Sequence, residues 1–327
     1  MQKILITRPV PADIVERLKQ YFEVAVNEGK KYSANELAIA LKEMDGLLVA
    51  GAEKIDGDTI AGANRLKAVC ITAAGYNSID VDALTKAGII VTNAPGPANE
   101  TVADFTWGLM IATARRIAEA ARYVQEGNWK TAVGQRFYGT AVHGKTLGII
   151  GMGRIGQAIA KRGTGFNMKV IYHNRKRVDM AIEQDCNAAY ATKETLLNEA
   201  DFVVLALPFT KNNYHIIDTQ ELEIMKQSAI LINIARGGLI NEAALADALQ
   251  QKKIAAAALD VFEQEPLIFP ALPELPNVLL TPHIAGGTEE TQYGLASAGA
   301  DNLIAALGYG PDAFQPPAIL NPQVYGK

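Results

Sequence analysis

Residues 146–163 read TLGIIGMGRIGQAIAKRG, an apolar run followed by a glycine-rich turn and a segment with helical periodicity. The turn follows the spacing G-x-G-x-x-G, directly after a strand pattern and directly before a helix pattern. In that context one glycine permits the tight turn, one permits close approach of a pyrophosphate, and one permits packing of the helix on the strand. We therefore predict a dinucleotide-binding loop, formed by Gly151, Gly153, Arg154, Ile155 and Gly156.

The end of the next predicted strand bears on which dinucleotide is bound. An acidic side chain there holds the ribose 2'-hydroxyl of NAD, but this chain has Asn174, Arg175, Lys176 and Arg177, and no carboxylate before Asp179. Arg175 and Arg177 would attract a 2'-phosphate. The pattern predicts that NADPH is the preferred cofactor and that NADH can also be used. The alternative is that the basic run is only a solvated helix start.

Outward from this loop, short apolar runs alternate with amphipathic segments, which predicts parallel strands joined by helices. The fold class is α/β, with two doubly wound parallel-sheet domains (Rossmann/flavodoxin-like) and a cleft between them. We predict a substrate-binding domain from residues 1–98 plus 286–327 and a dinucleotide-binding domain from residues 99–285. A capping box, Thr101-x-x-Asp104, predicts the start of one long helix that continues past Arg116.

Composition narrows the class of protein. The 327 residues are 49% hydrophobic and 20% charged, with a net charge of -4, which is typical of a folded globular protein and not of one that binds nucleic acid. The apolar runs are too short to span a membrane, and the N-terminus has no secretory pattern. Two cysteines, Cys70 and Cys186, form no disulfide framework. We therefore expect a cytoplasmic protein, with no membrane or nucleic-acid partner.

Three further segments carry residues suited to catalysis: NIARGGLINEAAL with Arg236, ALDVFEQEP with Glu265, and TPHIAGG with His283. Each follows a predicted strand of the nucleotide domain, at the edge where open α/β sheets bind their ligands. Taken singly, Arg236 could form a surface ion pair, Glu265 could cap a loop, and His283 could be a hinge residue. The sequence has no Cys/His cluster with zinc spacing, so no metal is predicted.

Together these motifs resemble the D-isomer-specific 2-hydroxyacid dehydrogenase family, and within it the branch of glyoxylate/hydroxypyruvate and 2-ketogluconate reductases. The resemblance covers nearly the whole chain, and its motifs occur in the family's order and spacing. They are AAGYNSIDVDAL, VTNAPGPANETVADFTWGLM, LGIIGMGRIGQAIA, NIARGGLINEAALADAL, LDVFEQEP and TPHIAGGTEET.

The resemblance implies a role for each candidate residue. Arg236 would bind the substrate carboxylate and keto oxygen, His283 would be the acid/base, and Glu265 would be its partner. Backbone N–H groups of Ala74 and Gly75 would hold the same carboxylate. Further cofactor contacts would come from Asn174, Arg175, Val102, Pro208, Ile234, Asp260 beside the nicotinamide amide, and Gly286. The family also implies a homodimer, with the helix region 99–126 as the interface.

Simple chemistry agrees with these roles. Hydride transfer to a keto carbon leaves an alkoxide, which needs a proton donor that titrates near neutrality, such as histidine. A carboxylate next to the keto group favours a planar bidentate donor such as arginine. We therefore expect NADPH-dependent reduction of glyoxylate or hydroxypyruvate to a D-2-hydroxy acid, with 2-ketogluconate or another 2-keto acid as the alternative substrate. Another class remains open, a nucleotide-sensing binding protein similar to the related corepressors.

Two related enzymes fit the sequence less well. In formate dehydrogenase-like members, which resemble this pattern, glutamine stands where this chain has Glu265. Phosphoglycerate dehydrogenases often append a regulatory domain, for which 327 residues leave no room.

Overall fold

Two units make up the chain in the computed structural model, which describes residues 1–50 and 53–326. One unit is Met1–Ala98 together with Gly287–Lys327, and the other is Asn99–Gly286. Each has its own sheet. The second unit is one continuous stretch of chain, whereas the first is completed by residues from the C-terminal end.

The elements of both units are as follows. The strands are β1 (Gln2–Ile6), β2 (Phe22–Val26), β3 (Gly46–Val49), β4 (Ala68–Ile71), β5 (Ile90–Thr92), β6 (Thr146–Ile150), β7 (Lys169–His173), β8 (Ala188–Tyr190), β9 (Phe202–Leu205), β10 (Ile230–Asn233), β11 (Ala256–Leu259) and β12 (Val278–Leu280). The helices are α1 (Ala12–Lys19), α2 (Ala34–Leu41), α3 (Gly57–Ile60), α4 (Val81–Lys86), α5 (Asn99–Ala114), α6 (Ile117–Gln125), α7 (Arg154–Gly163), α8 (Met180–Asp185), α9 (Lys193–Glu199), α10 (Thr219–Ile224), α11 (Glu242–Gln250) and α12 (Glu289–Ala306).

The first unit has a five-stranded parallel sheet in the order β2-β1-β3-β4-β5, the flavodoxin-like arrangement. Strands β3, β4 and β5 are buried along their whole length, because helices cover a parallel sheet on both faces. Helix α12 covers one face, where Ala300 and Leu303 join a core cluster with Ile4, Leu48 and Cys70.

The second unit has a seven-stranded parallel sheet in the order β12-β11-β10-β9-β6-β7-β8. The strand order reverses between β6 and β9, and in open sheets of this kind the ligand crevice lies at the carboxyl ends of the strands at that point. The predicted class, two doubly wound parallel sheets, is confirmed. Strands β2 and β8, which lie at sheet edges, were not predicted.

The prediction of one long helix after residue 101 is wrong. Helix α5 already begins at Asn99 and ends at Ala114, and α6 follows after Arg116, whose φ of 54° is left-handed. The backbone N–H of Thr140 donates to the carbonyl of Ala114 at 2.8 Å, so a distant loop occupies an acceptor that a continuing helix would use. The Asp104 carboxylate pairs with Arg162 at 2.7 Å, so it serves an ion pair and not the predicted helix start.

Helix α12 is capped at its start and is followed by a glycine at its end. The Thr288 hydroxyl accepts a hydrogen bond from the Thr291 N–H at the start of α12, and Gly308, with φ of 89°, follows its end.

Both cysteines are free and buried. Across the described ranges no helix is long and apolar enough to span a membrane.

Candidate functional site

The three glycines of the loop after β6 meet three different geometric demands. Gly151 has φ of 108°, and a Cβ there would stand 2.5 Å from the carbonyl oxygen of Ala206. A Cβ on Gly156 would collide with the carbonyl oxygen of Gly151, so this glycine lets α7 pack against the loop. Around a Cβ on Gly153, by contrast, no described atom lies within 4 Å. The loop thus has open space at the glycine where a pyrophosphate would approach, and its residues fit a dinucleotide.

Helix α7 directs its positive end at that space. Gly153 is its N-cap and has no side-chain cap, Arg154 is its exposed first residue, and Ile155 is half-buried. Uncapped N–H groups and the helix dipole together favour a bound anion. The N–H of Met152 donates to Oδ1 of Asn174 at 2.8 Å, which ties the glycine loop to the end of β7.

The basic residues after β7 are not equivalent. Arg177 donates to both carboxylate oxygens of Glu183 at 2.7 Å, and the hydroxyl of Tyr172 donates to the same carboxylate at 2.6 Å. These hydrogen bonds, with that from Arg177 as the largest cause, lower the pKa of Glu183 to about 2. Arg177, predicted to attract a 2'-phosphate, is therefore already paired with a carboxylate of the protein. In residues 1–50 and 53–326, no acidic side chain pairs with Arg175 or Lys176, both of which are exposed.

Glu265 and His283 contact each other directly. Nδ1–H of His283 donates to Oε2 of Glu265 at 2.7 Å, and Oε1 of Glu265 accepts from the N–H of Phe262 at 3.0 Å. About half of the His283 side chain and a third of the Glu265 side chain are exposed. His283 has φ of 55°, a left-handed conformation that is strained for a residue with a side chain. The pair is therefore held in one orientation and still open to a ligand.

Asp260, at the end of β11, fixes the segment that carries His283. Its fully buried carboxylate accepts from the hydroxyl of Thr281 at 2.7 Å and from the N–H groups of Ile284 and Ala285 at 2.9 and 2.8 Å. These bonds flank His283 on both sides and hold the backbone in its strained conformation.

Arg236 lies in a turn after β10 that Asn233 shapes. The side chain of Asn233 donates to the carbonyl of Arg236 at 2.8 Å and accepts from the N–H of Ala235 at 3.0 Å. Burial lowers the pKa of Arg236, while the negative charge of Glu265 opposes this shift. A Cβ on Gly237 would collide with the backbone of Phe262, so the Arg236 turn packs directly on the loop that leads to Glu265.

Asn233 was missed by the sequence analysis. Its signal was present, because asparagine at the end of a strand often bonds nearby backbone groups.

The other predicted cofactor positions are distributed through the second unit. Val102 is buried in α5, Ile234 is buried after β10, Pro208 is exposed after β9, and Gly286 follows the His283 segment. Ala74 and Gly75 belong to the first unit, in the loop after β4, where the Ala74 carbonyl accepts from Nδ2 of Asn93 at 2.7 Å. Among the described residues, no group of histidine, cysteine or acidic side chains is arranged to hold a metal ion.

The chain is similar in sequence to known proteins over most of its length. Residues 107–285 match the family described as D-isomer specific 2-hydroxyacid dehydrogenase, NAD binding domain. A glyoxylate reductase of Thermococcus gammatolerans is 42% identical over 327 residues, which covers 98% of this chain and 96% of that protein. A glyoxylate/hydroxypyruvate reductase B of Serratia proteamaculans is 44% identical over 307 residues, with 93% and 94% covered.

A solved structure agrees. The NADPH-dependent glyoxylate/hydroxypyruvate reductase of Sinorhizobium meliloti, in complex with NADP and malonate, superposes with a TM-score of 0.85 at 29% identity, covering 98% of this chain and 96% of that chain. The family match spans more than half of the chain, and the relatives extend it to nearly full length. The predicted resemblance is thus confirmed: the chain belongs to the D-isomer specific 2-hydroxyacid dehydrogenase family.

Proposed function

We propose that this protein reduces a short 2-keto acid, glyoxylate or hydroxypyruvate, to the corresponding D-2-hydroxy acid. The observation that carries the proposal is the hydrogen-bonded pair of His283 and Glu265, 2.7 Å apart, in the same unit as the glycine loop. The names of the relatives, glyoxylate reductase and glyoxylate/hydroxypyruvate reductase, support the choice of substrate. The D configuration of the product follows from the family.

Each side chain then has a chemical task. A reduced nicotinamide, when bound, supplies the hydride. Because Nδ1–H of His283 is committed to Glu265, Nε2 is the atom that delivers a proton to the developing alkoxide. The anionic Glu265 stabilises the imidazolium that holds this proton. Arg236 offers a planar fork to the substrate carboxylate, and the family resemblance adds the N–H groups of Ala74 and Gly75.

We propose NADPH as the preferred cofactor and NADH as a weaker one. Three observations support this: Asn174 and not an acidic residue follows β7, Arg175 is exposed beside it, and the Sinorhizobium relative is NADPH-dependent. We attribute the preference for a 2'-phosphate to Arg175 more than to Arg177, because Arg177 is hydrogen-bonded to Glu183. By the family resemblance, the cofactor would also contact Val102, Pro208, Ile234, Asp260 and Gly286.

A substrate and cofactor panel tests the proposal. Initial rates with glyoxylate, hydroxypyruvate, 2-ketogluconate and pyruvate, each with NADPH and with NADH, should be highest for one of the first two acids with NADPH. Chiral analysis of the hydroxypyruvate product should give D-glycerate. L-glycerate, or full activity toward an aldehyde without a carboxylate, would contradict the proposal. Cofactor binding without turnover of any keto acid would instead favour a nucleotide-sensing binding protein.

We also propose a homodimer formed through the helix region 99–126. Helix α6 has no buried residue, and Ile117 and Val124 on it are each about half exposed. Trp129, shortly after it, is also largely exposed. Apolar side chains clustered on one surface favour association. Light scattering should give a particle mass of twice the chain mass of 35.1 kDa. Val124→Asp should lower this measured mass. A monomeric unmodified protein would refute the proposal.

For the cellular location we propose the cytoplasm. Cys70 and Cys186 are both free and buried, as suits a reducing compartment. Burial raises the pKa of Cys70 to about 12, so its thiol is chemically inert. Cell fractionation would test this location.

A further inference from the structure

Within residues 1–50 and 53–326, two of the buried carboxylates have no cationic partner. Five acidic side chains are buried among the described residues. Three of them pair with an arginine: Asp45 with Arg65, Glu53 with Arg8 and Glu183 with Arg177. The other two, Glu242 and Asp260, form no ion pair with any described residue. A buried carboxylate without a cation is unfavourable unless hydrogen bonds satisfy it. Backbone N–H groups donate these hydrogen bonds to both Glu242 and Asp260.

Glu242 holds the loop that carries Glu265. It is the first residue of α11 and is 6% exposed. One of its oxygens accepts from the N–H of Glu263 at 2.7 Å, and the other accepts from the N–H of Phe269 at 3.3 Å. These two N–H groups stand on either side of Glu265. The carboxylate therefore joins both ends of the loop to the start of a helix.

Asp260 does the same for the other half of the pair, since its bonds to Thr281, Ile284 and Ala285 flank His283. The two buried carboxylates without a cation thus hold the two segments whose side chains meet in the His283–Glu265 hydrogen bond. Among the described residues, no other buried acid is hydrogen-bonded to either segment.

We propose that Glu242 is a positioning residue for the acid/base pair: its carboxylate sets the place of Glu265 and adds negative potential that stabilises the protonated imidazole of His283. The proposal rests on the proposed function, in which this imidazole is the proton donor. This role explains why a carboxylate stands at the buried position 242, where a neutral side chain would have a smaller desolvation penalty.

The charges around Glu242 are consistent with this coupling. Burial is the main cause that raises the pKa of Glu242, and the negative charges of Glu263 and Glu265 raise it further, while its two backbone hydrogen bonds oppose the shift. The side chain of Glu263 itself accepts from the hydroxyl of Tyr214 at 2.5 Å and bonds the ring of His215 at 3.1 Å. Glu242 and Glu265 thus interact electrostatically, and because Glu265 is hydrogen-bonded to His283, we expect removal of the Glu242 charge to act on this pair.

The test compares Glu242→Gln with Asp247→Asn, which removes an exposed charge from the same helix. A glutamine amide has a single acceptor oxygen, so only one of the two loop N–H groups keeps its acceptor. We expect kcat for keto-acid reduction to fall by about tenfold, with NADPH affinity unchanged. The pH at which kcat declines should also move downward. Asp247→Asn should match the unmodified protein in all three measurements.

A second readout needs neither cofactor nor turnover. The imidazole of His283 can be titrated by NMR, with His283→Ala identifying its signal among the four histidines. Its titration midpoint should lie at lower pH in Glu242→Gln, by more than Asp247→Asn produces. Equal midpoints and equal kcat would overturn the proposal, and so would a lower kcat without any change in midpoint, because that would be a purely structural effect.

If Glu242→Gln does not fold, Glu242→Asp decides the question. It keeps the charge on a shorter arm, so kcat should fall while the pH profile is retained, and an unchanged kcat would overturn the proposal. The outcomes distinguish failure of the proposed function from failure of the proposed role of Glu242. A protein that reduces no keto acid contradicts the proposed function, while the His283 titration still tests the role of Glu242.

Discussion

Replacing Asn174 by Asp and Arg175 by Ala should reverse the cofactor preference. An aspartate oxygen can accept the Met152 N–H that Asn174 accepts at 2.8 Å, so the glycine loop should keep its geometry. Arg175 is exposed and has no acidic partner in the described ranges, so its removal breaks no ion pair there. A charge-assisted phosphate contact is worth about 1.5–3 kcal/mol, and for an exposed arginine the lower value applies. That is about tenfold in kcat/KM for NADPH.

The new carboxylate should contribute a similar factor, because it repels a 2'-phosphate and accepts from the 2'-hydroxyl of NADH. The ratio of the kcat/KM values for the two cofactors should thus shift about 100-fold, from about tenfold in favour of NADPH to about tenfold in favour of NADH. Initial rates of glyoxylate reduction with each cofactor measure it, and Lys176→Ala is the matched control. The reasoning is refuted if the double variant still prefers NADPH, if Lys176→Ala shifts the ratio as much, or if the unmodified protein uses both cofactors equally.

Three further predictions concern catalysis. His283→Ala should lower kcat by about 100-fold or more while a fluorescence titration shows unchanged NADPH binding; near-normal turnover would mean that another group donates the proton. Glu265→Gln should be milder and should move the pH at which reduction declines downward, since the imidazolium loses its anionic partner at 2.7 Å; an unshifted pH profile would contradict this. Arg236→Lys should lose most activity because an ammonium lacks the planar fork, and a kcat/KM close to that of the unmodified protein would argue against a bidentate contact.

Sequence patterns predicted the fold well where an element is buried on both faces. Strands such as β6 and β9 are continuous apolar runs, because helices cover both sides of a parallel sheet. Two of the four edge strands escaped prediction, because little of them is buried: β2 has one buried residue, Phe22, and β8 has none. The break between α5 and α6 depends on Thr140 binding the Ala114 carbonyl, a tertiary contact that helical periodicity does not contain.

The candidate site shows the same division. Arg236, Glu265 and His283 could be named because each follows a predicted strand, and the ends of parallel strands share one edge. The orienting roles of three other residues were not predicted, although Asp260 was named as a cofactor contact. Asn233, Asp260 and Glu242 act through hydrogen bonds to backbone N–H and C=O groups, several of them distant in the chain. The pairing of Arg177 with Glu183 was not predicted for a related reason, because the two side chains meet only once α8 is formed.

The split first unit has a consequence for synthesis on the ribosome. Residues 99–286 form a continuous unit that can fold as soon as it emerges, whereas the N-terminal sheet lacks α12 until the last part of the chain is made. Until then Ile4, Leu48 and Cys70 have no Leu303 to cover them, and the N–H of Val91 lacks the side chain of Asn321 that accepts it. The N-terminal sheet is therefore synthesised before the second unit but completed after it, and ribosome stalling before α12 should leave this sheet exposed to chaperones and proteases while the second unit is already folded.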